Sequence, residues 1–210
     1  CVSPEYLDMM RESGCCAVYF GMETGSERML QIMEKKVKLE DNFNAVKWIY
    51  DAKLHTTIQL VLGMPGENNE TIKETSEFLS HSVTLGPEQN PLNLSINYAQ
   101  ALPGTPLYEY ARHKGLVGAS IDDEESYLLA ISDRDANDEA IMLPLTGLPK
   151  LITETWRPFL IARTATDYIN KYGSDAYDKH LLKSQYFTLE IEDEESNIDV
   201  SSPEYRASID

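Results

Sequence analysis

Basic residues, cysteines and long apolar runs are all scarce in this sequence. Its 210 residues include 18 Lys and Arg against 35 Asp and Glu, which gives a formal net charge of −17. General nucleic-acid binding is not expected, because it requires basic surface that displaces counterions. No apolar run reaches the roughly 18 residues of a membrane span, and no signal-peptide pattern is present. We therefore expect a cytoplasmic protein without a membrane span.

The shortage of cysteine and of catalytic motifs excludes further classes. Three cysteines are too few for a disulfide framework, and the adjacent Cys15 and Cys16 are expected to be buried, reduced thiols. No nucleophile elbow, phosphate loop or dinucleotide-binding glycine motif occurs, so no catalytic residue is assigned. No metal site is predicted either, because the histidines lack metal-ligand spacing. These are His55, His81, His113 and His180.

What the sequence does contain is a regular alternation of strands and helices. Apolar stretches predict strands at 16–22, 55–62 and 92–99, each followed by a loop rich in Gly or Pro and then by a helical pattern. Such βα units form parallel strands joined by right-handed crossovers. All three strand ends then lie at one edge of the sheet, where α/β proteins build their sites.

The predicted fold is α/β, but three βα units do not close a barrel. The first strand would leave an apolar edge exposed, so we expect further strands from sequence upstream of Cys1 or from a partner. Residues 1–116 are predicted to form the barrel part and residues 117–183 a helical extension. The extension contains a long helix over 148–172, kinked or split at Pro158. Residues 184–210 are predicted to be an acidic, mostly disordered tail.

Helix-start signals follow the predicted strands. Thr24 and Glu27 have the spacing of a capping box, which predicts that a helix follows and runs through Met33. Asn68 or Asn69 is predicted to cap the helix after the second strand.

Polar residues in the strand-end loops could together hold a polar small molecule. Glu23 is an acceptor, Ser26 is a donor, and Lys35 is a cation one helix away. Each residue also has a purely structural explanation, such as a helix cap, a turn or a solvated helix end. Their joint occurrence at three successive strand ends favours a site. The set is completed by Gln59 on the second strand and by Gly63 and Gly66 after it.

Three motifs carry a resemblance to a known family. They are GMETGSERML at 21–30, LGMPGE at 62–67, and NYA followed by LPGTPLY within 97–108. In this order and spacing they resemble the later half of the core of radical S-adenosylmethionine (radical SAM) enzymes. The similarity extends over residues 4–115. It is greatest to the branch of cobalamin-binding radical enzymes, methylthiotransferases and oxygen-independent coproporphyrinogen oxidases.

The resemblance implies a partial, TIM-type (βα)6 barrel, of which this chain holds only the later units. In that family a [4Fe–4S] cluster, supplied with electrons by a donor such as flavodoxin or ferredoxin, reduces S-adenosylmethionine to a 5′-deoxyadenosyl radical. Cobalamin is left open as a further cofactor. Glu23 would hold the ribose or amino group of S-adenosylmethionine, and Lys35 its carboxylate. The other implied cofactor contacts are Gln59 to the ribose, Val61 and backbone near Ala99 to the adenine, and Ser26 and Gly63.

One element of the family pattern is absent. The Cys-x-x-x-Cys-x-x-Cys spacing of the cluster ligands does not occur, so the ligands are expected upstream and this chain alone is expected to be inactive. The favoured interpretation is a fragment of a radical SAM enzyme that acts on an unknown substrate, with cobalamin-dependent methyl transfer left open. The alternatives are a degenerate barrel acting as a non-catalytic binding module and an aldolase-like barrel enzyme that uses Lys and Glu.

Overall fold

A three-stranded parallel sheet lies at the centre of the protein. The computed structural model describes residues 2–118, 120–132, 136 and 138–183, so the predicted tail lies outside the described residues. The strands are β1 (Gly21–Glu23), β2 (Ile58–Leu62) and β3 (Leu94–Tyr98), in the order β1-β2-β3. Both pairings are parallel, with Leu60 opposite Ile96. The βα alternation predicted from the sequence is confirmed.

Seven helices are assigned in the described residues, and the main core packs against one face of the sheet. A short 3-10 turn covers Glu139–Ile141, and residues 174–183 are also helical. The helices are α1 (Pro4–Glu12), α2 (Glu27–Ile32), α3 (Leu39–Asp51), α4 (Asn69–Val83), α5 (Pro106–His113), α6 (Ile121–Ser132) and α7 (Lys150–Tyr172).

The first strand is shorter and more exposed than predicted. A single parallel bridge joins Ala17 to His55, and regular pairing begins only at Gly21. Burial on both faces was the wrong prediction, because Tyr19 is 55% exposed while Met22 is fully buried. Among the described residues β1 is an edge strand with only one face against the helices. Cys16 is exposed on the segment that enters it, so the prediction of buried thiols is also wrong.

The main core fills the space between the sheet and helices α3, α4 and α7. Alternate residues of β2 are buried on this face, whereas Gln59 and Val61 on the other face are half-buried. Helix α7 is a single helix through Pro158, so the predicted split does not occur. Its buried residues recur every three or four positions and so form one face. They are Thr153, Trp156, Leu160, Thr164 and Tyr168.

The start of helix α4 agrees with one of the two predicted caps, Asn68 or Asn69. Asn68 is the N-cap, and its Oδ1 accepts from the backbone N–H groups of Glu70 and Thr71 at 2.9 and 3.1 Å. Asn68→Ala is expected to lower the free energy of unfolding by about 1 kcal/mol, because two amides lose their acceptor. Chemical denaturation measures the change. The exposed Lys73→Ala is the control, and equal stability of the two variants would contradict the cap.

Candidate functional site

The open face of the sheet carries most of the predicted site residues. Gln59 lies opposite Gly21 of β1 and Ser95 of β3, and Val61 lies opposite Asn97. Paired residues of neighbouring parallel strands point to the same face, so these side chains share the face away from the helical core. The structure therefore brings Gln59 and Val61 to the same surface as the end of β1.

Glu23 is turned back over this face by an irregular end of β1. The register shifts between Gly21 and Glu23, and Glu23 has a φ of 65°, a conformation that few non-glycine residues adopt. Its carboxylate lies above Gly21, since a Cβ added to Gly21 would be 2.5 Å from Glu23 Oε1. A bulge of this kind re-aims one side chain, which is common beside functional sites.

Lys35 reaches the same place from the end of α2. The backbone N–H of Lys35 donates to Leu30 O at 2.9 Å, and Glu34 has a φ of 54°. This left-handed cap reverses the chain and brings Lys35 back to β1. Lys35 Nζ lies 2.6 Å from Glu23 Oε1, with the two side chains 44% and 20% exposed. Two predicted site residues of opposite charge thus form one ion pair.

The loop between β1 and α2 differs from the predicted capping box. Ser26, not Thr24, is the N-cap, and its side chain makes no capping bond. Thr24 Oγ1 instead accepts from the Ser26 amide at 3.2 Å and bonds to Thr75 Oγ1 of α4 at 3.2 Å. The Glu27 carboxylate accepts from the Leu39 amide at 2.7 Å. The prediction failed because tertiary contacts with α4 outcompete local capping.

Glu67 is a site residue that sequence reasoning missed. It follows the turn made by Gly63 and Gly66, whose φ angles are 85° and 86°. It is 2% exposed, and its Oε2 accepts from the Gly63 amide at 2.5 Å. Burial raises the pKa of the Glu67 carboxyl to about 7, although hydrogen bonds from the Gly63 and Met64 backbone oppose this. The sequence feature that could have identified Glu67 is a carboxylate four residues after the glycine that follows a strand.

Buried polar atoms without a partner are concentrated at the carboxyl ends of the strands. Four such side-chain atoms occur in the described residues. Ser26 Oγ follows β1, Glu67 Oε1 follows β2 and Gln100 Nε2 follows β3. The fourth is Thr56 Oγ1. An unpaired buried polar group costs about 1–3 kcal/mol, so one at each of three successive strand ends indicates a place built for a ligand.

Ala99 and Val61 lie at the apolar side of this edge. The Ala99 amide donates to Leu62 O at 2.7 Å, which continues the pairing of β3 with β2 beyond the strand. Val61 packs against the apolar cluster to which Ala99 belongs. We call this the strand-end cluster; its buried members are Ala99, Ala101, Tyr108, Ala111, Val117 and Leu145. The edge therefore offers both polar groups and an apolar wall.

A cavity lies at the opposite end of the sheet, where the strands begin. Its volume is about 760 Å³, and it is lined by residues that precede the strands, among them His55, Thr56 and Asn93. The amino end of parallel strands is rarely the site of chemistry. The strand-end loops remain the candidate site.

The described residues do not fit an iron–sulfur cluster. They contain no group of three His, Cys, Asp or Glu side chains placed to hold a metal ion, and Cys15 and Cys16 precede β1. None of the helices in the described residues combines the length and the hydrophobicity of a membrane span.

Comparisons with known proteins find similarity to one superfamily and to several methyltransferases. Residues 1–79 match the family model described as the radical SAM superfamily. An uncharacterized methyltransferase of Pyrococcus horikoshii is 34% identical over 107 residues, which are 49% of this chain and 21% of that protein. The hopanoid C-2 methylase of Rhodopseudomonas palustris is 31% identical over 113 residues, 53% of this chain and 20% of that protein.

A third relative has a similar extent of alignment. The cytidylyl-2-hydroxyethylphosphonate methyltransferase of Streptomyces wedmorensis is 29% identical over 126 residues, 58% of this chain and 22% of that protein. The chain thus aligns with about a fifth of the length of these relatives. The parallel α/β sheet agrees with part of the TIM-type barrel on which the superfamily is built. Through residues 1–79, the chain is therefore similar to the radical SAM superfamily of enzymes.

Proposed function

We propose that the strand-end loops form part of the S-adenosylmethionine site of a cytoplasmic radical SAM enzyme. The observation that carries this proposal is the set of three unpartnered buried polar atoms, one after each strand. S-Adenosylmethionine presents an amino group, a carboxylate, ribose hydroxyls and an adenine, which together need polar partners and an apolar wall. The donor set of the site fits this molecule.

The amino acid end of the ligand would bind at the Glu23–Lys35 pair. The two charges lie 2.6 Å apart in the structure. A zwitterion can replace this ion pair with two new ones, in which its amino group contacts Glu23 and its carboxylate contacts Lys35. Each charge then keeps a partner throughout, so neither is left desolvated and unpaired.

The adenosyl end would lie across the open face toward β3. Gln59 is the proposed ribose contact, and Ser26 and Gly63 line the loops beside it. Val61 would contact the adenine face, and backbone near Ala99 its edge. The half-buried state of Gln59 and Val61 supports this placement, because both can contact a ligand without the core opening.

When bound, S-adenosylmethionine would supply the group that initiates radical chemistry. The residues of this chain bind the cofactor, orient it and exclude water from its adenosyl end. We propose that the [4Fe–4S] ligands come from outside the described residues, and that flavodoxin or ferredoxin is the electron donor. Methyl transfer, with cobalamin as a further cofactor, is the proposed reaction class, since three relatives carry methyltransferase or methylase names.

The two other candidate functions differ in how well the site supports them. An aldolase-like enzyme needs a lysine activated by an apolar or cationic environment. Lys35 instead pairs with a carboxylate and is 44% exposed, so no observation favours this function. A non-catalytic binding module would use the same S-adenosylmethionine site, and it would differ only in lacking reductive cleavage when the cluster-bearing residues are supplied.

Calorimetric titration with S-adenosylhomocysteine, an unreactive analogue, tests the proposed site. Lys35→Ala is expected to weaken binding by about 10- to 100-fold, because a charge-assisted hydrogen bond to the carboxylate is lost. The exposed neighbour Lys36→Ala is the matched control and should bind like the unmodified chain. Absence of binding by the unmodified chain, or equal binding by the two variants, would contradict the proposal.

A further inference from the structure

A tyrosine of α6 holds the backbone that follows β3. The Ala101 amide donates to Tyr127 Oη at 3.0 Å, and Tyr127 Oη donates to Ala101 O at 3.1 Å. Ala101 is fully buried, and Tyr127 packs against the strand-end cluster. One hydroxyl thus satisfies both backbone groups of a residue that water does not reach.

The same backbone is fixed from its other side by β2. The Ala99 amide donates to Leu62 O, while Tyr127 binds two residues further along. Gln100 lies between these two anchors, and its Nε2 is one of the unpartnered buried atoms. The segment 99–101 is therefore held at both ends and carries an unsatisfied polar group in its middle.

Helix α6 is itself anchored to the barrel part by Glu124. Tyr108 Oη of α5 donates to Glu124 Oε2 at 2.7 Å, and Arg112 Nε lies 2.9 Å from Glu124 Oε1. These bonds join α6 to α5 on the side of the helix that also presents Tyr127. Because three side chains of α6 and α5 share this junction, movement of α6 changes the position of Tyr127.

We propose that Tyr127 is a positioning residue for adenine recognition, and that α6 acts on cofactor affinity through it. The inference rests on the proposed function, because it assigns the 99–101 backbone the task of reading the adenine edge. A backbone reads that edge only if its N–H and C=O groups stay fixed relative to the apolar wall. Tyr127 supplies this fixation from a helix outside the residues matched by the family model.

The test compares two ligands that differ only at the base edge. Hypoxanthine has a carbonyl where adenine has its amino group and a protonated ring nitrogen where adenine has an acceptor. Its donor and acceptor pattern is therefore reversed. Calorimetric titration of the full chain with S-adenosylhomocysteine and S-inosylhomocysteine should show a preference of about tenfold or more for the adenosyl ligand.

Tyr127→Phe is expected to reduce this preference to about threefold or less. It removes only the hydroxyl, which leaves both Ala101 backbone groups without a partner. Tyr110→Phe is the matched control, because Tyr110 packs on the same cluster and its hydroxyl donates to Leu145 O at 3.3 Å. It should keep the preference. Glu124→Gln, which weakens the anchorage of α6 without touching Ala101, should reduce the preference in the same direction.

The outcomes separate this inference from the proposed function. Absence of binding of either ligand to the unmodified chain would overturn both. Binding without preference for the adenosyl ligand would overturn the inference and leave the proposed site standing. If Tyr127→Phe weakened both ligands by the same factor, Tyr127 would be only structural and the inference would be wrong.

Discussion

Gly21→Ala is expected to weaken the binding of S-adenosylhomocysteine by about 10- to 100-fold without unfolding the protein. The three atoms nearest to a new Cβ all belong to Glu23, at 2.5, 3.2 and 3.8 Å. The φ of Gly21 lies outside the left-handed region, so its backbone accepts alanine. The Glu23 carboxylate must therefore move away, and it loses its place beside Lys35.

A double-mutant cycle with Glu23→Ala measures whether Gly21 acts through this carboxylate. If it does, adding Gly21→Ala to the Glu23→Ala chain changes the affinity little further, since the displaced group is already gone. Thermal unfolding of each variant checks that the fold is retained. Fully additive losses of affinity, or an affinity for Gly21→Ala equal to that of the unmodified chain, would contradict the argument.

The stability of the protein is expected to fall as the pH rises from about 4.5 to about 7, through Glu67. Burial raises the pKa of this carboxyl from 4.5 to about 7. Folding therefore takes up a proton between these values, and the unfolded chain binds fewer protons than the folded one. The contribution of Glu67 is complete below pH 4.5 and is lost as the pH passes 7. It amounts to about 3 kcal/mol.

Glu67→Gln should remove this part of the pH dependence. Glutamine keeps an oxygen that can accept from the Gly63 amide but has no proton to lose. Urea denaturation at pH 5, 6 and 7.5 gives the free energy of unfolding of each chain. The control is Glu70→Gln, an exposed carboxylate three residues later. An identical decline with pH in the Glu67→Gln chain and in the unmodified chain would show that Glu67 does not carry the effect.

The sequence was sufficient to predict the order of strands and helices, whereas a binding site at the carboxyl ends of the strands stays a prediction. Apolar runs that stop just before Glu23 and Gly63 predict the ends of β1 and β2, and the structure ends these strands at Glu23 and Leu62. These predictions succeed because strand periodicity and glycine- or proline-rich turns are local properties of the chain. The proximity of Glu23 and Lys35 was implied by the family resemblance rather than by any local pattern.

The parts that could not be predicted depend on contacts between distant segments. Thr24 bonds to Thr75, which is 51 residues away, and this contact decides which residue caps α2. Tyr127 lies 26 residues from the Ala101 backbone that it holds. Glu67 becomes a buried carboxyl only when the turn that contains it is covered by neighbouring elements. Local propensities and motifs do not encode contacts between distant segments. Side chains that bind the backbone of a distant segment therefore cannot be predicted from the sequence alone.

The ion pair at the end of β1 has a consequence for ligand selection. Lys35 and Glu23 already hold each other in one arrangement, so binding would remove little further rotamer freedom from either side chain. A guest that offers only an amine must separate the pair and leave Lys35 without a counter-charge. A ligand that offers only a carboxylate must also separate the pair, and it leaves Glu23 without a counter-charge. We therefore expect the pair to favour ligands that carry an ammonium and a carboxylate on one carbon over ligands that have lost either group.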